Sequence, residues 1–172
     1  MQAEGDVVRF PREAPAPPDF TAFFAEEHRG LFKALYFVTG NRADAQELMQ
    51  EAFLTMWERW DAIEQIDDPT AYLFRVALNG SRMRARAARR AAGRLVEIAP
   101  SYDPFDEVDL REDVRRMIRS LTPRQRAALV LLDQYGYGSE EAAEIMRIRP
   151  STVRALATQG RAVLRNTGGP HG

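Results

Sequence analysis

The stretch DAQELMQEAFLTMWERW, residues 44–60, decides how the first half of the chain folds. Its apolar residues Ala45, Leu48, Met49, Ala52, Phe53, Met56, Trp57 and Trp60 recur at alternating spacings of three and one. That is one continuous apolar stripe on an α-helix of about four to five turns. Two tryptophans, a phenylalanine and two methionines make it the heaviest local apolar load in the sequence, so this helix is expected to nucleate a first domain. The opposite side carries Asp44, Glu47, Gln50, Glu51, Thr55, Glu58 and Arg59. Periodicity alone reads that acidic, amide-bearing face as solvated helix surface.

Upstream, Phe20, Phe23, Phe24, Leu31, Leu35 and Val38 fall on one face of a second helix, with Asp19 or Thr21 placed to cap it. TGNRAD, residues 39–44, is the turn between the two, with Gly40 and Asn41 able to take positive φ. Residues 1–18 end in PREAPAPP and are expected to form a flexible tail, since clustered prolines forbid a helix or a buried strand. Downstream, a short acidic connector leads to Pro69, which suits the first turn of a third helix, PTAYLFRVALNGSRMRARAARRAAGR. Tyr72, Leu73, Val76, Ala77 and Leu78 supply packing in its first half, and its second half is arginine and alanine. Gly80, in the middle, costs about 1 kcal/mol relative to alanine, which points to a bend or a close backbone approach.

LVEIAPSYDPFDEV, residues 95–108, mixes two prolines with acids and reads as a linker. Beyond it Val114, Met117, Ile118 and Leu121 make a helix face. Thr122 and Pro123 restart the chain as cap and first helical residue, and YGYG closes that helix. Ser139 is expected to cap SEEAAEIMR, and Pro150 opens the last helix after the turn Arg147–Arg149. Two short helices around a tight turn, the second starting S-T-V-R, match a helix-turn-helix. The expected fold is all-α: two small helical domains, 19–94 and 109–166, joined by a flexible acidic linker over 95–108, with a tail at 167–172.

The overall net charge of −1 hides four blocks. Residues 1–68 carry 14 acids and 6 bases, and residues 69–94 carry seven arginines and no acid. Residues 95–114 carry seven acids against Arg111, and residues 115–172 carry ten arginines against four acids. Two basic blocks alternating with two acidic ones suggest two polyanion-contacting surfaces on an otherwise acidic chain. Seven arginines without a compensating acid favour polyanion contact over a merely solvated surface, while Tyr72 and Phe74, taken singly, read as core.

Much chemistry is excluded. With no cysteine there is no disulfide, thiolate metal site or cysteine nucleophile. Only two histidines occur, His28 and His171, and no zinc-protease, phosphate-loop or nucleophile-elbow motif appears. The expectation is a cofactor-free, non-enzymatic protein. No apolar run approaches the roughly 20 residues of a membrane span, and the N-terminus has no signal-type apolar core, so no membrane insertion and a cytoplasmic location are expected.

With these residues in view, the chain resembles the two-domain bacterial RNA polymerase sigma factors of the extracytoplasmic-function (ECF) group. DAQELMQEAFLTMW is similar to that family's D-L-x-Q-E/D-x-F segment through Leu48, Gln50, Glu51 and Phe53, with Glu47 in place of the usual acid. In the family this helix binds the clamp coiled coil of the polymerase largest subunit, which implies Asp44, Glu47, Leu48, Gln50 and Glu51 as docking residues. PTAYLFRVALNGSRMRARAARR resembles the segment that melts and reads the promoter −10 element. It implies Tyr72, Arg75, Asn79, Arg82, Arg86 and Arg89 as DNA contacts, with Asn79 capturing a flipped base. LTPRQRAALVLLDQYGYGSEEAAEIM followed by STVRALATQGRAVLR is similar to the −35-reading domain. It implies Arg149, Ser151, Thr152, Arg154, Ala155, Thr158 and Arg161 as the DNA-facing set. Gln159-Gly160 departs from the family's arginine-alanine-arginine run, and Arg149 stands where a small capping residue is usual. The resemblance implies core RNA polymerase, promoter DNA and an anti-sigma factor as partners. Without it, a helix-turn-helix regulator that ignores polymerase, or an arginine-rich RNA binder, fits the same composition. The outer face of residues 44–60 separates these readings.

Overall fold

A computed structural model of the chain describes residues 19–63, 66–90 and 111–167. The expected N-terminal tail and the linker 95–108 lie outside them, as does the C-terminal tail apart from Thr167, which closes the last helix. The described residues are helical, with no strand among them.

Helix α1, Phe20–Thr39, starts where the Asp19 carboxylate accepts a hydrogen bond from the Ala22 backbone N–H at 2.8 Å. It ends at Gly40, whose φ of 69° is left-handed and whose N–H returns to the Tyr36 carbonyl. Asn41 stays extended and caps α2, Arg42–Glu58, by accepting from the Asp44 N–H. The stripe read from the sequence is buried at Ala45, Leu48, Met49, Ala52, Phe53 and Met56. It stops sooner than periodicity suggests. The helix ends at Glu58, so Trp60 falls in a separate turn, α3, Trp60–Ile63, and Trp57 is 60% exposed. Trp57 is therefore not a core residue: its ring lies edge-on against Phe20 with its other side open. Phe24, expected on the packed face of α1, is 38% exposed and stacks on His28.

Helix α4, Pro69–Arg90, has Asp68 accepting from Ala71 N–H at its start and Leu73, Phe74, Ala77 and Leu78 buried. It runs through Gly80 without a break. Gly80 serves close approach: a Cβ there would lie 3.1 Å from Leu48 Cδ2. α1, α2 and α4 thus pack pairwise into one bundle.

The second bundle begins with α5, Glu112–Ser120, and α6, Pro123–Leu129, which opens on a capping box between Thr122 and Gln125. A π-helical turn over Val130–Gln134 follows, and Gly136 turns the chain at a φ of 73°. Helix α7, Ser139–Met146, starts one residue earlier than expected. Gly138, not Ser139, holds the cap position, and the Glu141 carboxylate accepts from the Gly138 N–H at 2.8 Å. Arg147, in left-handed conformation, makes the turn into α8, Pro150–Thr167. α8 continues through Gln159-Gly160. Gly160 is buried because a Cβ there would sit 3.0 Å from Leu129 Cδ1, so the glycine lets α8 close on α6.

The two bundles also pack on each other, α1 against α6 and α4 against α7. Arg126 on α6 is 5% exposed and donates from Nε and Nη2 to the Val38 carbonyl at 3.0 and 2.7 Å. Its Nη1 donates to the carbonyls of Leu121 and Ile118. One guanidinium thereby satisfies carbonyls at the ends of α1 and α5, where a helix leaves acceptors unpaired and its dipole favours a cation. Phe74 meets Tyr135 edge-on with ring centroids 4.6 Å apart, and the Tyr137 hydroxyl donates to Asp68. Burial pushes the Tyr135 phenol up to about 12, helped by the negative charge of Glu27.

Candidate functional site

The outer face of α2 is a surface. Asp44, Glu47, Gln50 and Glu51 are all exposed, one helical turn apart along the side away from the core. Leu48 does not belong to it. At 2% exposure it is core, its Cδ2 held against Gly80, because its place in the three-one rhythm puts it on the stripe rather than beside the acids. Beyond Gln50 and Glu51 the same face becomes apolar, with Leu54 and Trp57 about 60% exposed. Neither entered the expected docking set, since Trp57 was assigned to the core stripe. The signal for Leu54 was available: it is the one large apolar residue of the stretch that breaks the stripe. An acidic strip ending in an exposed leucine and tryptophan is suited to a partner surface that is basic at one end and greasy at the other.

Arg84, from the arginine-rich half of α4, reaches this face and pairs with both Glu47 and Glu51. Hydrogen bonding to the Arg84 guanidinium holds the Glu47 carboxyl below the usual carboxylate range, and the same bond raises Arg84 further. Of the expected −10 set, Tyr72 is half-buried and accepts a hydrogen bond from Arg59 Nη1 at 3.1 Å. Arg75 is exposed and Asn79 is half-buried beside Gly80. Arg82, Arg86 and Arg89 lie on α4, but their side chains fall outside the described residues. Phe74, 1% exposed, is core as expected.

The helix-turn-helix geometry brings the second set together. Val153, Ala157 and Gly160 of α8 are buried, which turns Ser151, Arg154, Ala155, Thr158 and Arg161 outward as one exposed face, with Thr152 half-buried at its edge. Arg149 is exposed at the turn, and its backbone carbonyl accepts from Thr152 and Val153 N–H. Two of these cations already have acidic neighbours. Arg154 lies 3.6 Å from Glu140 on α7, and Arg161 pairs with Asp133, which raises its guanidinium. Such exposed pairs are each worth under about 1 kcal/mol and give way readily to a phosphate. Among the described residues no group of histidines, acids or cysteines is arranged to hold a metal ion. No helix there is long and apolar enough to cross a membrane.

Comparison with known proteins agrees with this geometry. The profile described as Sigma-70 region 2 matches residues 23–91, and Sigma-70, region 4 matches residues 111–164. The ECF RNA polymerase sigma factor SigJ of Mycobacterium tuberculosis is 32% identical over 145 residues, covering 76% of this chain and 45% of SigJ. SigM of the same species is 25% identical over 146 residues, covering 84% of this chain and 74% of SigM. The chain thus spans less than half the length of SigJ. Among solved structures, the sigma factor RpoE in complex with the anti-sigma factor NepR from Bartonella quintana shares the fold. Its TM-score is 0.66 at 22% identity, with 86% of this chain and 95% of that one covered. CnrH, solved in complex with the cytosolic domain of CnrY, superposes with a TM-score of 0.58 at 20% identity over 86% of each chain.

Proposed function

The chain belongs to the ECF group of the sigma-70 family, with regions 2 and 4 in its two helical bundles, and we propose that it directs core RNA polymerase to specific promoters. It is not an enzyme; its work is recognition. The exposed acidic face of α2, beside an arginine-rich helix in the same bundle, is the observation that carries this reading. A duplex-binding regulator needs the second bundle but has no use for that face.

In this reading Asp44, Glu47, Gln50 and Glu51 dock on polymerase, and Leu54 and Trp57 extend the docking surface. Leu48 supports it from beneath. Tyr72, Arg75, Asn79, Arg82, Arg86 and Arg89 open and read the −10 element, with Asn79 holding an unstacked base through its amide. Arg149, Ser151, Thr152, Arg154, Ala155, Thr158 and Arg161 enter the −35 major groove, the arginines on phosphate and the small side chains on base edges. Domain limits of 19–94 and 109–166 follow from the same reading. The similar RpoE was solved in complex with the anti-sigma factor NepR, and an anti-sigma partner and a cytoplasmic place of work are part of the proposal. A pull-down of core polymerase separates this from the polymerase-independent regulator. Wild type should retain polymerase and the Gln50→Ala/Glu51→Ala variant should lose most of it; no retention by wild type overturns the proposal.

A further inference from the structure

Arg84 stands apart from the arginines around it. It belongs to the basic half of α4, yet its guanidinium bridges Glu47 and Glu51, two exposed carboxylates one turn apart on α2. The bridge exists because Gly80 lets α4 come close: a Cβ at Gly80 would also lie 3.8 Å from Glu51 Oε2. The acids are open to solvent, with side chains 60% and 55% exposed, while Arg84 is 29% exposed. A cation arriving from outside can therefore reach both carboxylates, and Arg84 is the intramolecular occupant it must displace.

We propose that Arg84 is an internal placeholder for the polymerase cation, and that docking at Glu47 and Glu51 frees it to contact promoter phosphate. The proposal rests on the reading of α2 as the polymerase-docking face. Arg84 already engages both carboxylates, so a partner cation arriving at the pair is repelled by Arg84 at close range and gains less than it would from the bare acids. The stronger and better-buried partner wins the acids. The released guanidinium adds one free positive charge to a segment, residues 69–94, that carries seven arginines and no acid. Linkage makes the effect reciprocal: DNA that captures Arg84 bares the acids and tightens polymerase docking by the same factor. The lowered Glu47 and raised Arg84 protonation equilibria fit a pair engaged in the free chain.

The sign of one substitution separates this from a positioning role. Arg84→Gln removes the competitor, so core polymerase should bind the full chain about two- to fivefold more tightly, the scale of an exposed pair. If Arg84 instead holds the acids in place for polymerase, the same variant binds more weakly, and the proposal is overturned. The second arm uses a 20-nucleotide oligothymidine strand and the free chain. Glu47→Gln/Glu51→Gln should raise its affinity and steepen the salt dependence by about 0.7 in the log–log slope, one further phosphate contact on a single strand. Added to Arg84→Gln, the same two changes should leave the slope where Arg84→Gln puts it. An equal steepening in both backgrounds means a general charge effect and sinks the relay. Polymerase binding by wild type in the first arm tells failure of the relay from failure of the docking reading itself.

Discussion

Arg126 places a guanidinium among carbonyls from Val38, Ile118 and Leu121, and burial pulls its proton affinity down without neutralising it. Arg126→Met keeps the stem and deletes every donor, which leaves buried acceptors unpaired. A loss of about 3 kcal/mol is expected, readable as a lower urea midpoint at unchanged slope. Trp57 is the opposite case. Because it is 60% exposed, Trp57→Ala should cost under about 1 kcal/mol of stability while weakening polymerase capture at least as much as Gln50→Ala does. A large stability loss would return Trp57 to the core. Tyr135 gives a pH signature. Its phenol is raised in the folded state, so the fold binds a proton that the unfolded chain gives up near pH 10. Stability should be intact below pH 10 and fall between pH 10 and about 12, and Tyr135→Phe should remove that part of the decline. Residues whose role is local were largely legible from the sequence: Asp19 and Thr122 cap as expected, whereas Asn41, read as a turn residue able to take positive φ, stays extended and caps α2. Arg126 and Arg84 were not, because their partners lie on other helices.

Among the elements, α2 and α4 carry the proposed docking and −10 residues, and Gly80 sets their distance. Gly80→Leu should force α4 off Leu48 and cost about 1–3 kcal/mol by overpacking, despite the better helix propensity of leucine. Thermal melts of wild type and variant check this. Asn79→Ala, one residue away and half-buried, should reduce promoter opening, measured by permanganate reactivity of −10 thymines, with polymerase capture unchanged. Equal loss of both contradicts a base-holding role. The three-one rhythm gave the identity of these helices and the inner face of α2 correctly. It failed at the C-terminal end, where Trp57 continues the rhythm but no neighbour covers its outer side. Periodicity records which residues share a face and is blind to where packing partners run out.

At the scale of the molecule, the two bundles were legible from the charge blocks and the turn residues, whereas their mutual packing was not. Contacts such as Phe74 with Tyr135 join positions 61 apart, and no local pattern announces them. The packing has a consequence for promoter binding. α7 lies on α4 and α8 on α7, and packed helices sit about 8–10 Å apart, so the two helices proposed to read DNA are within about 20 Å. Elements named for positions −10 and −35 are separated by about 85 Å of B-form duplex. On the proposed function, the bundles must part for both to be read at once. Since the chain has no cysteine, dyes at Glu58→Cys in the first bundle and Gln159→Cys in the second report the separation of the bundles; it should lengthen by about 50 Å or more when polymerase and promoter are added.

The central claim, that this chain gives polymerase its promoter choice, is tested most directly by run-off transcription of sheared genomic DNA with purified core polymerase. With the chain present, a small set of start sites should appear that share −10 and −35 sequences, and Gln50→Ala/Glu51→Ala should abolish them. Transcripts that are the same with and without the chain would contradict it.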